Sequence, residues 1–163
     1  MKKIEKKIFD NFVKFKNEKT FFTLINKIFQ KEIGFILLTL TVAHPKKKLV
    51  QRIYSSNNKI YPIGGTKKIP NNYLYEVIFK KQKSFIANNI RQIKKYHFDH
   101  QIIYNLGAES MLNQVVIFDN KTIGTINFLN KSNHFNTNHL KITNLISKFI
   151  APIYLNHQIK MKN

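Results

Sequence analysis

The chain has no cysteine and no tryptophan among its 163 residues, and only eight acidic side chains. Without cysteine there can be no disulfide scaffold, cysteine zinc site, iron–sulfur cluster, thiol nucleophile or thioether-linked chromophore. Nor does any apolar run approach the ~20 residues of a membrane span, and the N-terminus lacks the continuous apolar core of a secretory signal. A soluble, cytoplasmic protein is the expectation. Glycine (5) and proline (4) are scarce, whereas 43% of residues are hydrophobic and 14 are phenylalanine. Such a chain is no disordered tail, and its length suits one compact domain.

Arginine is the other scarcity. All but two of the 28 cations are lysines, the exceptions being Arg52 and Arg91, and the formal net charge is +20. That charge alone would suggest a nucleic-acid partner. However, the lysines are spread along the chain, with short clusters only at Lys46-Lys47-Lys48 and Lys94-Lys95. Together with abundant Asn, Ile and Phe this reads as AT-rich coding bias, and nucleic acid is not the expected partner.

Ile4, Ile8, Phe12 and Phe15 recur at helical spacing from Lys2 to Lys16, giving an amphipathic first helix whose remaining positions are mostly lysine. Thr20 can cap a second helix running to about Glu32, with Gly34 ending it. Phe35 to Ala43 then reads as a buried strand, and Leu49 to Ser55 as its antiparallel partner across Pro45 and three lysines. Ser56 to Asn71, with Gly64-Gly65 and two prolines, is an irregular excursion. Asn72 can cap a helix through about Lys81 with Tyr73, Val77 and Ile78 inward, and Ser84 to Ala87 is a short strand. Asn88 to Leu106 mixes a loop with a helix starting at Asp99, which Gly107 closes. Met111 to Phe118 and Thr122 to Leu129 form a hairpin around Asp119-Asn120-Lys121, and Thr137 caps a last helix with a broad apolar stripe. Segregated helices over an antiparallel sheet make the fold class α+β.

Several residues have the chemistry of a binding site. Glu109, one of few acids, sits between a helix-ending glycine and a strand. It can pair with a cationic ligand group or simply with a lysine. Ser110 beside it can donate to a ligand or to local backbone. Asn113 and Asn127 interrupt apolar strands, where a buried amide without a partner costs ~1–3 kcal/mol. A three-residue loop at 119–121 would set them opposite each other on one face, a two-residue loop on opposite faces. Arg52 offers a planar fork for a carboxylate or phosphate, or is a surface charge. Tyr54, Tyr61 and Tyr73 flank the excursion and can stack on a flat ligand or fill the core. His97, Asp99 and His100 have spacing too poor for a metal site, and Asp99 is accounted for as a helix cap. No Ser-His-Asp order, phosphate-binding loop, dinucleotide fingerprint or His-Glu-x-x-His occurs, so no catalytic set, metal or cofactor is assigned.

One set of residues carries a family resemblance: Leu106-Gly107-Ala108-Glu109-Ser110, Val115-Val116-Ile117, Ile123-Gly124-Thr125-Ile126-Asn127-Phe128, Phe135, and a closing helix ending Ile150-Ala151-Pro152. Over about residues 20–155 the chain resembles a GAF domain. The resemblance implies an antiparallel sheet with terminal helices on one face and, on the other, a ligand pocket beneath a helical excursion. Residues 1–19 are then an amphipathic helix and 156–163 a polar tail, with no output module in what remains. It also implies binding or sensing of a small polar metabolite, with Arg52, Tyr54, Tyr73, His100, Glu109, Ser110, Asn113 and Asn127 as candidate ligand contacts. The stand-alone members that reduce free methionine sulfoxide use cysteines, which this chain lacks. The alternatives are an enzyme using Glu109 as general acid or base, and a basic protein that docks on anionic surfaces. A homodimer is expected, because Ile4, Ile8, Phe12, Leu145, Ile146, Phe149, Ile150, Ile153 and Tyr154 exceed what one sheet face needs.

Overall fold

The computed structural model describes residues 2–12, 14, 17–44, 46–69 and 71–161. Val13, Phe15 and Lys16 of the expected first helix lie outside the described residues, as do the side chain of Ile4 and the residues Pro45 and Pro70.

Helix α1 (Lys2–Phe12) buries Ile8 completely and sets the Phe12 ring edge-on to Phe21 at 5.4 Å. Helix α2 (Glu18–Glu32) starts one turn earlier than Thr20 would place it. The extended residue is Asn17, whose side chain accepts from the Thr20 amide at 3.0 Å, while the Thr20 hydroxyl donates back to the Asn17 carbonyl. Asparagine satisfies an orphan helix amide better than threonine does, so Thr20 becomes the third residue of the helix.

Six strands follow: β1 (Leu37–His44), β2 (Leu49–Ser55), β3 (Thr66–Lys68), β4 (Phe85–Ala87), β5 (Ser110–Phe118) and β6 (Lys121–Asn130). They form one antiparallel sheet in the order β3-β2-β1-β6-β5-β4. The short β3 lies inside the stretch expected to be irregular. Period-two alternation divides the sheet's side chains. Leu38, Leu40, Val42, Leu112, Ile126 and Phe128 face α1, α2 and the last helix in one core. Leu37, Thr39, Thr41, Met111, Asn113, Thr125, Asn127 and Leu129 face the other way.

The β5–β6 hairpin turns on two residues, Asp119 and Asn120, both with positive φ as a tight hairpin requires. A two-residue turn was expected to separate Asn113 from Asn127. It does not, because Ile117 pairs with Thr122 and Val116 with Gly124, leaving Ile123 as a bulge that restores parity and sets the two asparagines directly opposite. A second bulge, at Ile53, lets Arg52 pair with Thr41 and Tyr54 with Leu40, so Arg52 and Tyr54 point to opposite faces.

The excursion over the far face carries α3 (Tyr73–Tyr75), a π-helical turn (Glu76–Lys80), α4 (Ile90–Tyr96) and α5 (His100–Asn105). Asn72 caps α3 as expected, but it is Leu74 that packs inward, while Tyr73 is half exposed and stacks on Tyr96 at 5.2 Å. Helix α4 occupies a stretch expected to be loop and is capped by Asn89. Helix α6 (Thr137–Lys160) is capped by Asn136 and not by Thr137, and it continues past Pro152, so residues 156–160 are its last turns. Ile8, Ile146, Ile150, Ile153 and Tyr154, counted as surplus apolar surface, are buried within the single chain. Among the described residues no helix is long and apolar enough to cross a membrane.

Candidate functional site

Between the sheet and the excursion lies a cavity of about 580 Å³. Its floor is a polar ladder across three strands. The Asn113 amide donates to Asn127 Oδ1 at 2.7 Å, the Asn127 amide lies 3.3 Å from both Thr39 Oγ1 and Thr41 Oγ1, and Thr41 Oγ1 meets Thr125 Oγ1 at 2.8 Å. Its roof and far wall are apolar: Leu74, Ile78, Phe79, Tyr96 and Ile103 from the excursion.

One end is charged. The Tyr61 hydroxyl donates to Asp99 Oδ2 at 3.1 Å, and Lys67 Nζ lies 3.4 Å from Asp99 Oδ1. The Arg52 guanidinium stands 4.9 Å over the Tyr61 ring and donates from Nη1 to the Pro62 carbonyl at 2.8 Å. Gly65 makes room for that fork, since a Cβ there would come within 2.8 Å of Nη1.

Burial raises the Asp99 carboxyl, but Lys67, His97 and the Tyr61 hydroxyl together hold it below the ordinary carboxylate value. Burial, then Lys67, pushes His97 well below the ordinary imidazole value, so the ring is neutral at pH 7. Burial also raises the Tyr61 phenol and lowers Arg52. Both Asp99 and His97 release protons more readily folded than unfolded, so the unfolded chain binds more protons as pH falls and stability falls with it. For His97 the loss begins near the ordinary imidazole value of 6.5. Between pH 7 and 5, thermal unfolding of the wild type is therefore expected to shift down more than that of His97→Asn; equal slopes would refute a buried neutral His97.

Four buried polar side-chain atoms lack a partner among the described residues, and three belong to cavity-lining residues: Arg52 Nε, His97 Nε2 and Asn113 Oδ1. An unsatisfied buried group costs ~1–3 kcal/mol, so a fold that keeps three around one cavity carries a cost that a ligand can offset.

The eight sequence-derived candidates divide accordingly. Arg52, Asn113 and Asn127 line the cavity. Tyr54 lies on the opposite face of the sheet, its hydroxyl donating to Asn26 Oδ1 at 3.0 Å. Tyr73 is on the outer surface, and the His100 ring bonds the His97 carbonyl outside the lining. Glu109 is half-buried outside the cavity, its backbone amide donating to the Asn130 carbonyl. The Ser110 hydroxyl is spent on the carbonyls of Asn130 and Lys131. Sequence reasoning missed Lys67 and assigned Asp99 to capping. Asp99 does stand at the cap position of α5, but its side chain makes no cap bond and turns to Tyr61 and Lys67 instead. Among the described residues there is no cluster of three or more His, Asp or Glu able to hold a metal ion.

A six-stranded antiparallel sheet with terminal helices on one face, and a cavity under a helical excursion on the other, defines a GAF-like α+β fold. Solved structures bear this out. The GAF domain from a phosphoenolpyruvate-protein phosphotransferase of Coxiella burnetii superposes with a TM-score of 0.74 at 12% identity, covering 99% of this chain and 96% of that one. The phycocyanobilin-bound GAF domain from a cyanobacterial phytochrome gives 0.73 at 11% identity, covering 98% and 96%. The type II free methionine-R-sulfoxide reductase from Thermoplasma acidophilum gives 0.65 at 13% identity, covering 82% and 88%. No family sequence pattern and no curated protein matches the chain.

Proposed function

We propose that this chain binds a small polar metabolite in the cavity between sheet and excursion, and that binding serves sensing and not turnover. The observation that carries the reading is the three unpartnered polar atoms on residues lining one cavity, where the other buried polar side chains among the described residues are nearly all paired. The volume is that of an ordinary small-molecule site, and the mix of apolar walls with a few polar groups is the composition such sites have. A structural neighbour of the same fold is bound to phycocyanobilin, an organic ligand. General acid–base work by Glu109 lacks this support, because that carboxylate is not in the cavity wall. The reading includes a cytoplasmic location. It also includes a homodimer whose contact would use the outer sides of α1 and α6, where Phe9 and Ile159 are more than half exposed.

A thermal-shift screen of small polar metabolites tests the binding. A ligand at ~100 times its dissociation constant adds ~2.7 kcal/mol of stability. The shift is expected to vanish in Leu129→Trp, which grows an indole into the cavity from its floor. A broad metabolite library that never stabilises the wild type, or a shift that survives Leu129→Trp, would sink the proposal.

A further inference from the structure

The geometry points to a flat organic oxyanion, a carboxylate or phosphate on an aromatic or other planar body, as the cavity's occupant, with its anionic end against Arg52. This rests on the cavity being the binding site and adds what the site selects.

Charge decides the sign of the ligand. Arg52, Lys67 and Lys68 line the cavity against one carboxylate, Asp99. That carboxylate is engaged, by the Tyr61 hydroxyl on one oxygen and Lys67 on the other. A cationic ligand would therefore find its only counter-ion occupied. Arg52, by contrast, makes no ion pair among the described residues.

Arginine geometry decides the shape of the anionic end. Of the guanidinium's two edges, Nη1 is committed to the Pro62 carbonyl, and the edge bearing Nε has a buried N–H with no partner. Two parallel N–H groups along Nε and Nη2 match the two oxygens of a carboxylate, or one edge of a phosphate, which a lysine cannot grip in two places. The chain has placed one of its only two arginines here, among 28 cations, and built a seat for it from the Tyr61 face, the Pro62 carbonyl and the side-chain-free Gly65. A charge meant only for the solvent needs no such seat.

The walls decide the body. Beyond the charged end the roof is aromatic and aliphatic, with Phe79 and Tyr96 among its members, and the floor is a plane of Thr and Asn side chains. A planar ring system lies between such surfaces with one face on apolar groups. Asn113 Oδ1, an acceptor without a donor, fits a ring N–H or hydroxyl at the end away from Arg52. Arg52 and Asn113 sit on β2 and β5, three strand spacings or roughly 14 Å apart between backbones, which puts the two groups at opposite ends of the cavity.

Isothermal titration with four indole probes at about 0.15 M salt, where long-range attraction to a polycation is screened, separates the possibilities. The probes are indoleacetate, indoxyl phosphate, indoleacetamide and tryptamine. At least one of the two anions is expected to bind tenfold or more tighter than the amide, and the amine not at all. Which anion is preferred identifies the oxyanion. Arg52→Gln is expected to remove the anion's advantage over the amide, with an unchanged far-UV circular dichroism spectrum as the control that the fold is intact, and Arg52→Lys to keep only part of it. If amide or amine binds as well as either anion, the oxyanion inference falls while the cavity reading stands. If none of the four binds the wild type, the oxyanion inference falls and the metabolite library alone decides the cavity reading; binding that is indifferent to Leu129→Trp overturns both.

Discussion

Gly124→Ala is expected to lower stability by more than ~3 kcal/mol, seen as a fall in melting temperature of roughly 10 °C, and Gly124→Val to leave no folded protein. A Cβ at this position would run into the carbonyl oxygen of Thr41 on the neighbouring strand and into the Tyr154 ring, whose Cδ1 would be 2.6 Å away. Overpacking in a core costs ~1–3 kcal/mol when flexible side chains can give way. Here one neighbour is backbone at the middle of a six-stranded sheet, and the other is a fully buried ring whose hydroxyl donates to the Thr125 carbonyl at 2.9 Å. Neither can retreat without breaking a β1–β6 bond or lifting α6. The control is Gly107→Ala: that glycine has a positive φ of 77° but nothing within 4 Å of its missing Cβ, so only backbone strain, about 1 kcal/mol, is added. A Gly124→Ala protein within 1 kcal/mol of the wild type would show that α6 does not bear on β6 as described.

That glycine also shows which parts of the fold the sequence discloses. Apolar and polar periodicities disclose the strands, the helices and the α+β class, whereas Ile123-Gly124-Thr125-Ile126-Asn127 and the place of the cavity were legible through the family resemblance. What alternation could not disclose is where it skips. The bulge at Ile123 lets a two-residue turn coexist with facing asparagines, and the bulge at Ile53 sends Tyr54 away from Arg52. Bulges answer to twist and to packing from the far side of the sheet, and neither leaves a mark in the local pattern.

Helix starts were misplaced for a different reason. Asn17 and Asn136 are the caps where Thr20 and Thr137 were expected, and Asn89 caps a helix in a stretch read as loop, because asparagine is so common in this chain that each looks like background. One signal was available: Gln92 stands three residues after Asn89 and accepts from the Asn88 amide at 2.6 Å, a variant of the capping box.

The site divides along the same line. Arg52, Asn113 and Asn127 were legible because a polar side chain inside an apolar strand needs a reason. Asp99 was not, because its partners Tyr61 and Lys67 are 38 and 32 residues away and only the closed excursion brings them together.

The asparagine ladder provides the sharpest test of whether the cavity floor exists for folding or for binding. Replacing both Asn113 and Asn127 by Leu is expected to change stability by less than ~1 kcal/mol, because both partners of their mutual hydrogen bond leave together while the Thr39 and Thr41 hydroxyls, which the Asn127 amide also serves, each lose a partner. Asn113 Oδ1, unpartnered in the wild type, goes with them, and apolar surface fills part of a cavity of about 580 Å³. The single change Asn113→Leu behaves differently. It strips the donor from Asn127 Oδ1 and leaves a buried carbonyl without a partner, which costs ~1–3 kcal/mol. The two substitutions are therefore strongly non-additive, with a coupling of at least ~1 kcal/mol in a double-mutant cycle. Binding does change: the double variant loses the acceptor that orients a ring N–H, and its affinity for any ligand found in the cavity is expected to fall at least tenfold. A protein that keeps its stability and loses its ligand holds these buried polar groups for a site and not for the fold. Should the double variant instead melt several degrees below the wild type and still bind, the ladder is a structural element of the sheet and the ligand is held elsewhere on the wall.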